Sequence, residues 1–131
     1  MRGFIRNYRA IAIRHPRAFV LLATRRFNTD QTFALYEEIL KTFAALGLDA
    51  ARTAFWFRLI GGYVNGAGMA EVASRELEDE PTPLLLQHAP QQIPYPHVRA
   101  IAPHLSVGNL ESVFEQSLDL LFDALAADVA R

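Results

Sequence analysis

The sequence predicts an all-α domain, a helical bundle of about six helices, and three observations carry that expectation. Apolar residues recur at three- and four-residue spacing along most of the chain, the period that lays one stripe along a helix. The breaks between these runs fall on proline, glycine and short polar residues, which start and stop helices for stated steric and hydrogen-bonding reasons. Alternating apolar and polar runs bounded by turns, the mark of strands, are missing, and no internal repeat is visible.

The first helix is expected over 3–14, where Phe4, Tyr8, Ile11 and Ala12 share a face and arginines separate them. Pro16 disfavours helical geometry at His15 and is itself suited to open a short second helix, PRAFVLLATRR. Phe27-Asn28-Thr29-Asp30 is a break with good capping residues. A third helix follows from about Asp30 to Leu46, with Phe33, Leu35, Tyr36, Ile39, Leu40, Phe43 and Leu46 on its apolar arc. Gly47 is a good residue for a left-handed helix stop.

The stretch 48–77 is the longest helix expected, with Asp49 as its N-cap and no proline inside it. At 100° per residue, Trp56, Phe57, Leu59, Ile60, Tyr63 and Ala67 form a bulky arc, while Ala50, Ala54, Gly61, Gly62, Gly66, Gly68 and Ala73 fall mainly on the other side. Each interior glycine costs a helix roughly 1 kcal/mol against alanine, so a close neighbour must offset it. The bulky side is read as facing this chain's core and the small side as facing a second helix. Residues 78–95 carry acids and prolines with no period, and read as a flexible proline-rich loop within the domain. A short helix from Pro96 and a last helix from Asn109 to about Val129 close the chain. The last one has a wide apolar arc (Leu110, Val113, Phe114, Leu118, Leu121, Phe122, Leu125) and an acidic stripe of Glu111, Glu115, Asp119 and Asp123.

The chain has 131 residues, enough for one domain with a substantial core. Its formal net charge of −1 gives no overall field toward nucleic acid or an anionic membrane. Charge is uneven, however: Arg2, Arg6, Arg9, Arg14, Arg17, Arg25 and Arg26 all precede Asp30, the first acid. These arginines read as a solvated face paired with acids elsewhere. No cysteine is present, which excludes disulfides, thiolate catalysis and cysteine-bound metal. No apolar run is long enough for a membrane span, and a soluble, cytoplasmic protein without membrane contact is expected.

Chemistry-bearing constellations are sparse. Gly61-Gly62 and Gly66-x-Gly68 lie in a helix, the wrong context for a phosphate loop; GxxxG at 62–66 is read as close helix packing. His88, His97 and His104 lack the one-turn spacing of a helical metal site, so no metal and no cofactor is expected. No nucleophile elbow surrounds a serine, and an enzyme is not expected. What remains is a set of aromatics and a leucine on consecutive helices: Phe19 and Leu22, then Phe33, Tyr36 and Phe43, then Trp56, Phe57 and Tyr63. They would line a ligand pocket between helices or simply fill the core; both readings stand on sequence alone.

Three stretches resemble one family. YRAIAIRHPRAFVLLATRR is similar to the helix–Pro–helix segment, LDAARTAFWFRLIGGYVNGAGMAE to the long helix, and YPHVRAIAPHLS with FEQSLDLLFDAL to the closing helices of the C-terminal domain of tetracycline-repressor-type (TetR-type) transcriptional regulators. The likeness covers nearly the whole chain. Family members begin with a DNA-binding helix-turn-helix domain, and no such pair precedes Tyr8, so the chain is expected to act on DNA only through a missing N-terminal domain. The resemblance implies an effector-binding and dimerisation domain. A small, largely apolar inducer would bind among the first four helices. A homodimer would form through a four-helix bundle, with Gly62, Gly66, Met69 and Ala73 of the long helix and Phe114, Leu118, Leu121 and Leu125 of the last at its interface. The alternatives are a stand-alone helical carrier of an apolar molecule with no regulatory role and, more remotely, a small helical enzyme.

Overall fold

The computed structural model describes residues 1–25, 28–78, 94–105 and 107–130. Among them lie six α-helices and no strand: α1 (Arg2–Arg14), α2 (Pro16–Thr24), α3 (Asp30–Ala44), α4 (Ala50–Glu78), α5 (Pro96–Ile101) and α6 (Leu110–Val129). Two short 3-10 turns, Ala102–His104 and Val107–Asn109, join α5 to α6. The expected loop at 78–95 falls, apart from its two ends, outside the described residues.

The helix boundaries have local causes. His15 takes φ −137° and ψ 62°, clear of the helical region, because the ring of Pro16 crowds it. Pro16 then opens α2 where a missing N–H costs nothing. The hydroxyl of Thr29 accepts from the Thr32 N–H at 3.2 Å and caps α3. Gly47 turns the chain with φ +79°, and the Asp49 carboxylate accepts from the Arg52 N–H at 2.8 Å to start α4. The second helix stops at Thr24, two residues short of the expected end at Arg26.

Helix α4 runs through the middle and serves three surfaces. One flank packs on α6 and α1 in the main core, which contains Ile5, Phe43, Trp56, Ile60, Val64, Phe114, Leu118 and Leu125. A second flank meets α2, where Ala12, Phe19 and Val72 form a smaller buried cluster. The third flank is exposed. Burying side chains as large as Phe19, Phe43 and Leu118, all 1% exposed or less, stabilises the fold by roughly 1.5–3 kcal/mol each. The expected division of α4 into a bulky inner side and a small outer side needs two corrections. Leu59 is 40% exposed, because it lies on the open flank and not on the α6 flank. Gly68 is buried, because the Phe19 ring lies against it: a Cβ there would stand 2.6 Å from Cε1 of that ring.

Arginines of α1 bolt this helix to its neighbours. Arg2 pairs with Asp119 at 2.5 Å, and Arg6 grips both oxygens of Glu115 at 2.8 and 2.7 Å. The Arg6 guanidinium holds the Glu115 carboxyl below its ordinary range by direct hydrogen bonding. Arg9 donates to the buried Glu71 at 2.8 and 3.2 Å, and Arg75 donates to its other oxygen at 3.0 Å. The basic leading segment and part of the acidic stripe on α6 are thus two halves of one set of ion pairs. At the far end, Asp128 accepts from both Arg52 and the Trp56 indole, the latter at 2.8 Å, and ties the end of α6 to the start of α4. No described helix is long and apolar enough to cross a membrane.

Two glycine variants separate packing from propensity. Gly68→Ala should lower stability by about 1–3 kcal/mol, because Phe19 has nowhere to go. Gly61→Ala, whose Cβ would meet nothing within 4 Å, should raise it by about 0.5–1 kcal/mol. Urea midpoints give both values, and equal gains at the two positions would remove the Phe19 seat.

Candidate functional site

A cavity of about 410 Å³ opens between α1, the end of α2, α3 and α4. Its origin lies in the sequence of α4. Gly61 and Gly62 border it, and among the described residues nothing beyond their own chain neighbours and the backbone of their helix comes within 4 Å of where their Cβ atoms would stand. The helix therefore gives no side chain to that part of the wall, and the space stays open. The deep wall is apolar: Ile5 from α1, Phe43 from α3, and Ile60 and Val64 from α4 are all buried. Nearer the mouth stand Phe4, Leu22, Leu35 and Tyr36, each 39–45% exposed. Tyr36 and Phe57 meet edge to face with centroids 5.7 Å apart and join α3 to α4 across one side.

Polar groups on the wall are few. Tyr8 donates its hydroxyl proton to Asn65 Oδ1 at 2.9 Å, a link between α1 and α4. Burial pushes the Tyr8 phenol above its ordinary pKa, and nearby Tyr36 adds to the shift, so Tyr8 remains a neutral donor throughout the physiological range. Its ring also meets Phe19 edge-on at 5.2 Å, which connects the cavity to the Gly68 seat. Thr32, Arg25 and Arg58 complete the polar lining.

The eight residues expected to bind ligand divide evenly. Leu22, Tyr36, Phe43 and Phe57 line the cavity; Phe19, Phe33, Trp56 and Tyr63 do not. Phe19 is fully buried against Gly68, and Trp56 is held on the α6 side by Asp128. Tyr63 stacks on Phe114 at 6.0 Å, and Phe33 is 55% exposed. Sequence reasoning missed the α1 wall of Phe4, Ile5 and Tyr8, although Phe4 and Tyr8 sit on the apolar face read there. It also missed Asn65 and the role of the Gly61-Gly62 pair, whose signal was two adjacent glycines beside an aromatic run.

The residues expected at a dimer interface divide as well. Phe114, Leu118 and Leu125 are buried within this one chain and already covered by its own helices, so they present no surface to a partner. Met69 packs on the smaller cluster and Leu121 is half-buried. Gly62, Gly66 and Ala73 are exposed, and with Phe55, Leu59 and Ala70 they make one stripe along α4 at three- and four-residue spacing. On α6, Val113, Leu120, Ala124 and Ala127 make a second. The two helices run antiparallel, since Trp56 near the start of α4 meets Asp128 near the end of α6 and Tyr63 further along meets Phe114. On each helix the stripe lies roughly a quarter turn from the mutual contact. The opposed chain directions place both stripes on the same side, forming one two-helix apolar face. No group of three or more metal-ligating side chains occurs among the described residues.

The described residues thus form an all-helical domain with an apolar cavity between its first four helices and an open two-helix face. A scan against protein-family models matches the chain over residues 1–129 to the tetracyclin repressor-like, C-terminal domain, and the chain belongs to that family. The family is one of transcriptional regulators and is not enzymatic. Searches of curated proteins and of solved structures returned no match.

Tyr8→Phe should cost about 1 kcal/mol, the net worth of one hydrogen bond. A double-mutant cycle with Asn65→Ala, read by urea unfolding, should show the two substitutions non-additive. Strict additivity would mean the Tyr8–Asn65 bond does not form in solution.

Proposed function

We propose that this chain is the effector-binding and dimerisation domain of a TetR-type regulator, with the α1–α4 cavity holding a small, largely apolar inducer. The observation that carries this is the cavity itself. Its size falls within the roughly 300–1,000 Å³ of small-molecule sites, and its few polar groups stand on an apolar wall, the usual composition of such sites. No catalytic step is assigned to it. Two chains pair through the α4–α6 face about a two-fold axis, so that each stripe meets the partner's. The exposed glycines at 62 and 66 let backbones approach closely, which gives them the compensation they lack within one chain. Ligand in the cavity favours one placement of α1 and α3 against α4, and hence one relative setting of the two subunits. DNA reading belongs to the helix-turn-helix domain of the full cytoplasmic regulator. The ligand shifts that equilibrium only by binding the two settings unequally.

Sedimentation at micromolar concentration should show a dimer, since such a face would bury well over about 1,000 Å². Leu120→Asp, at a position 72% exposed in the chain, and Gly62→Leu should each give a folded monomer. A dimer that survives both would place the interface elsewhere. For the cavity, the neutral fluorescent probe N-phenylnaphthylamine should bind saturably to the parent chain. Gly61→Phe fills the open wall and should lose that binding while keeping the helical circular dichroism; unchanged binding would sink the cavity as the ligand site.

A further inference from the structure

We infer that the cavity's ligand is an anionic amphiphile, an apolar body carrying one carboxylate- or phosphate-like head, seated with the head between the mouth arginines Arg25 and Arg58. This rests on the cavity being the effector site. Among the described residues, the charged side chains on its wall are Arg25 and Arg58, and no aspartate or glutamate lines it. The remaining polar side chains, Tyr8, Thr32, Tyr36 and Asn65, are neutral. Elsewhere among the described residues, arginines are matched by carboxylates: Arg2 by Asp119, Arg6 by Glu115, Arg9 by Glu71 and Arg52 by Asp128. Arg25 and Arg58 have no such partner among the described residues. Arg14, Arg17 and Arg99 share that feature but stand away from the cavity.

The back of the wall is apolar and the mouth is mixed, with Phe4, Leu22 and Leu35 beside the arginines. Ile5, Phe43, Ile60 and Val64 are buried at the back, whereas Arg25 and Arg58 are exposed at the mouth. An apolar tail fits the back, and a guanidinium at the mouth offers the planar, paired donors that suit a carboxylate or phosphate oxygen pair. A neutral ligand leaves this positive rim unused. A cationic one meets repulsion with no acid to relieve it.

The test is displacement of N-phenylnaphthylamine from the full chain by decanoate, decyl phosphate, decanol and decyltrimethylammonium, all below their aggregation concentrations. Decanoate or decyl phosphate should displace the probe at about a tenth of the decanol concentration at low ionic strength, and the advantage should shrink as salt is added. The cation should be weakest. The two acids separate a carboxylate site from a phosphate site. Arg25→Gln with Arg58→Gln, both at exposed positions, should bring the acids to the level of decanol and leave decanol unchanged. Equal displacement by acid and alcohol in the parent chain would overturn the anionic head while leaving the cavity in place, as would an acid preference that survives the double substitution. If the probe itself fails to bind, the effector site falls and the head-group assignment falls with it.

Discussion

Phe19 lying on Gly68 sets the spacing on which the rest of the fold depends. The ring occupies the volume any other side chain at that position would need, so α2 sits against α4 as it could not with a side chain at 68. That approach also fixes α1, because His15-Pro16 is the only hinge between α1 and α2 and Tyr8 packs edge-on against the same ring. Further along α4, Gly61 and Gly62 have no such partner. The same residue type therefore does two opposite things on one helix: at one point it admits a neighbour, and a turn or two away it leaves a void. Cavity and clamp are paired outcomes of where glycine is filled and where it is not.

The ion pairs of α1 explain how a helix that walls a cavity can still be held in register. Apolar contact alone is non-directional and would let α1 slide along its groove. Arg2, Arg6 and Arg9 lie three and four residues apart and reach acids on two different helices; a slide of one turn would leave Arg2 and Arg6 facing other acids of the α6 stripe but would break Arg9–Glu71. The exposed pairs contribute little to stability, as surface pairs generally do. Glu71 is different, because it is 3% exposed and holds a charge that only Arg9 and Arg75 satisfy. Its value lies in specifying one alignment of α1 against α4.

Much of the fold was legible because helix ends are local chemistry. Pro16, Gly47 and Asp49 each act within a few residues, and the boundaries fell where those residues put them. Faces were less legible. A helical wheel shows that Phe114, Leu118 and Leu125 share a side, but burial inside one chain and burial between two leave the same pattern. The wheel also cannot tell which neighbour covers an arc, so Phe19 and Trp56 looked like pocket residues when one fills a seat and the other a seam. Four of the eight expected residues line the cavity, and its α1 wall was missed because α1 contributes it from a distance in sequence that no local pattern encodes.

Trp56, the chain's single tryptophan, sits with its indole N–H on Asp128 at the α4–α6 seam and does not line the cavity. Its ring nevertheless belongs to the same core cluster as Ile5, Phe43, Ile60 and Val64, which form the back of the cavity. The emission of this one unlabelled indole therefore reports any repacking of the core shared by cavity and seam.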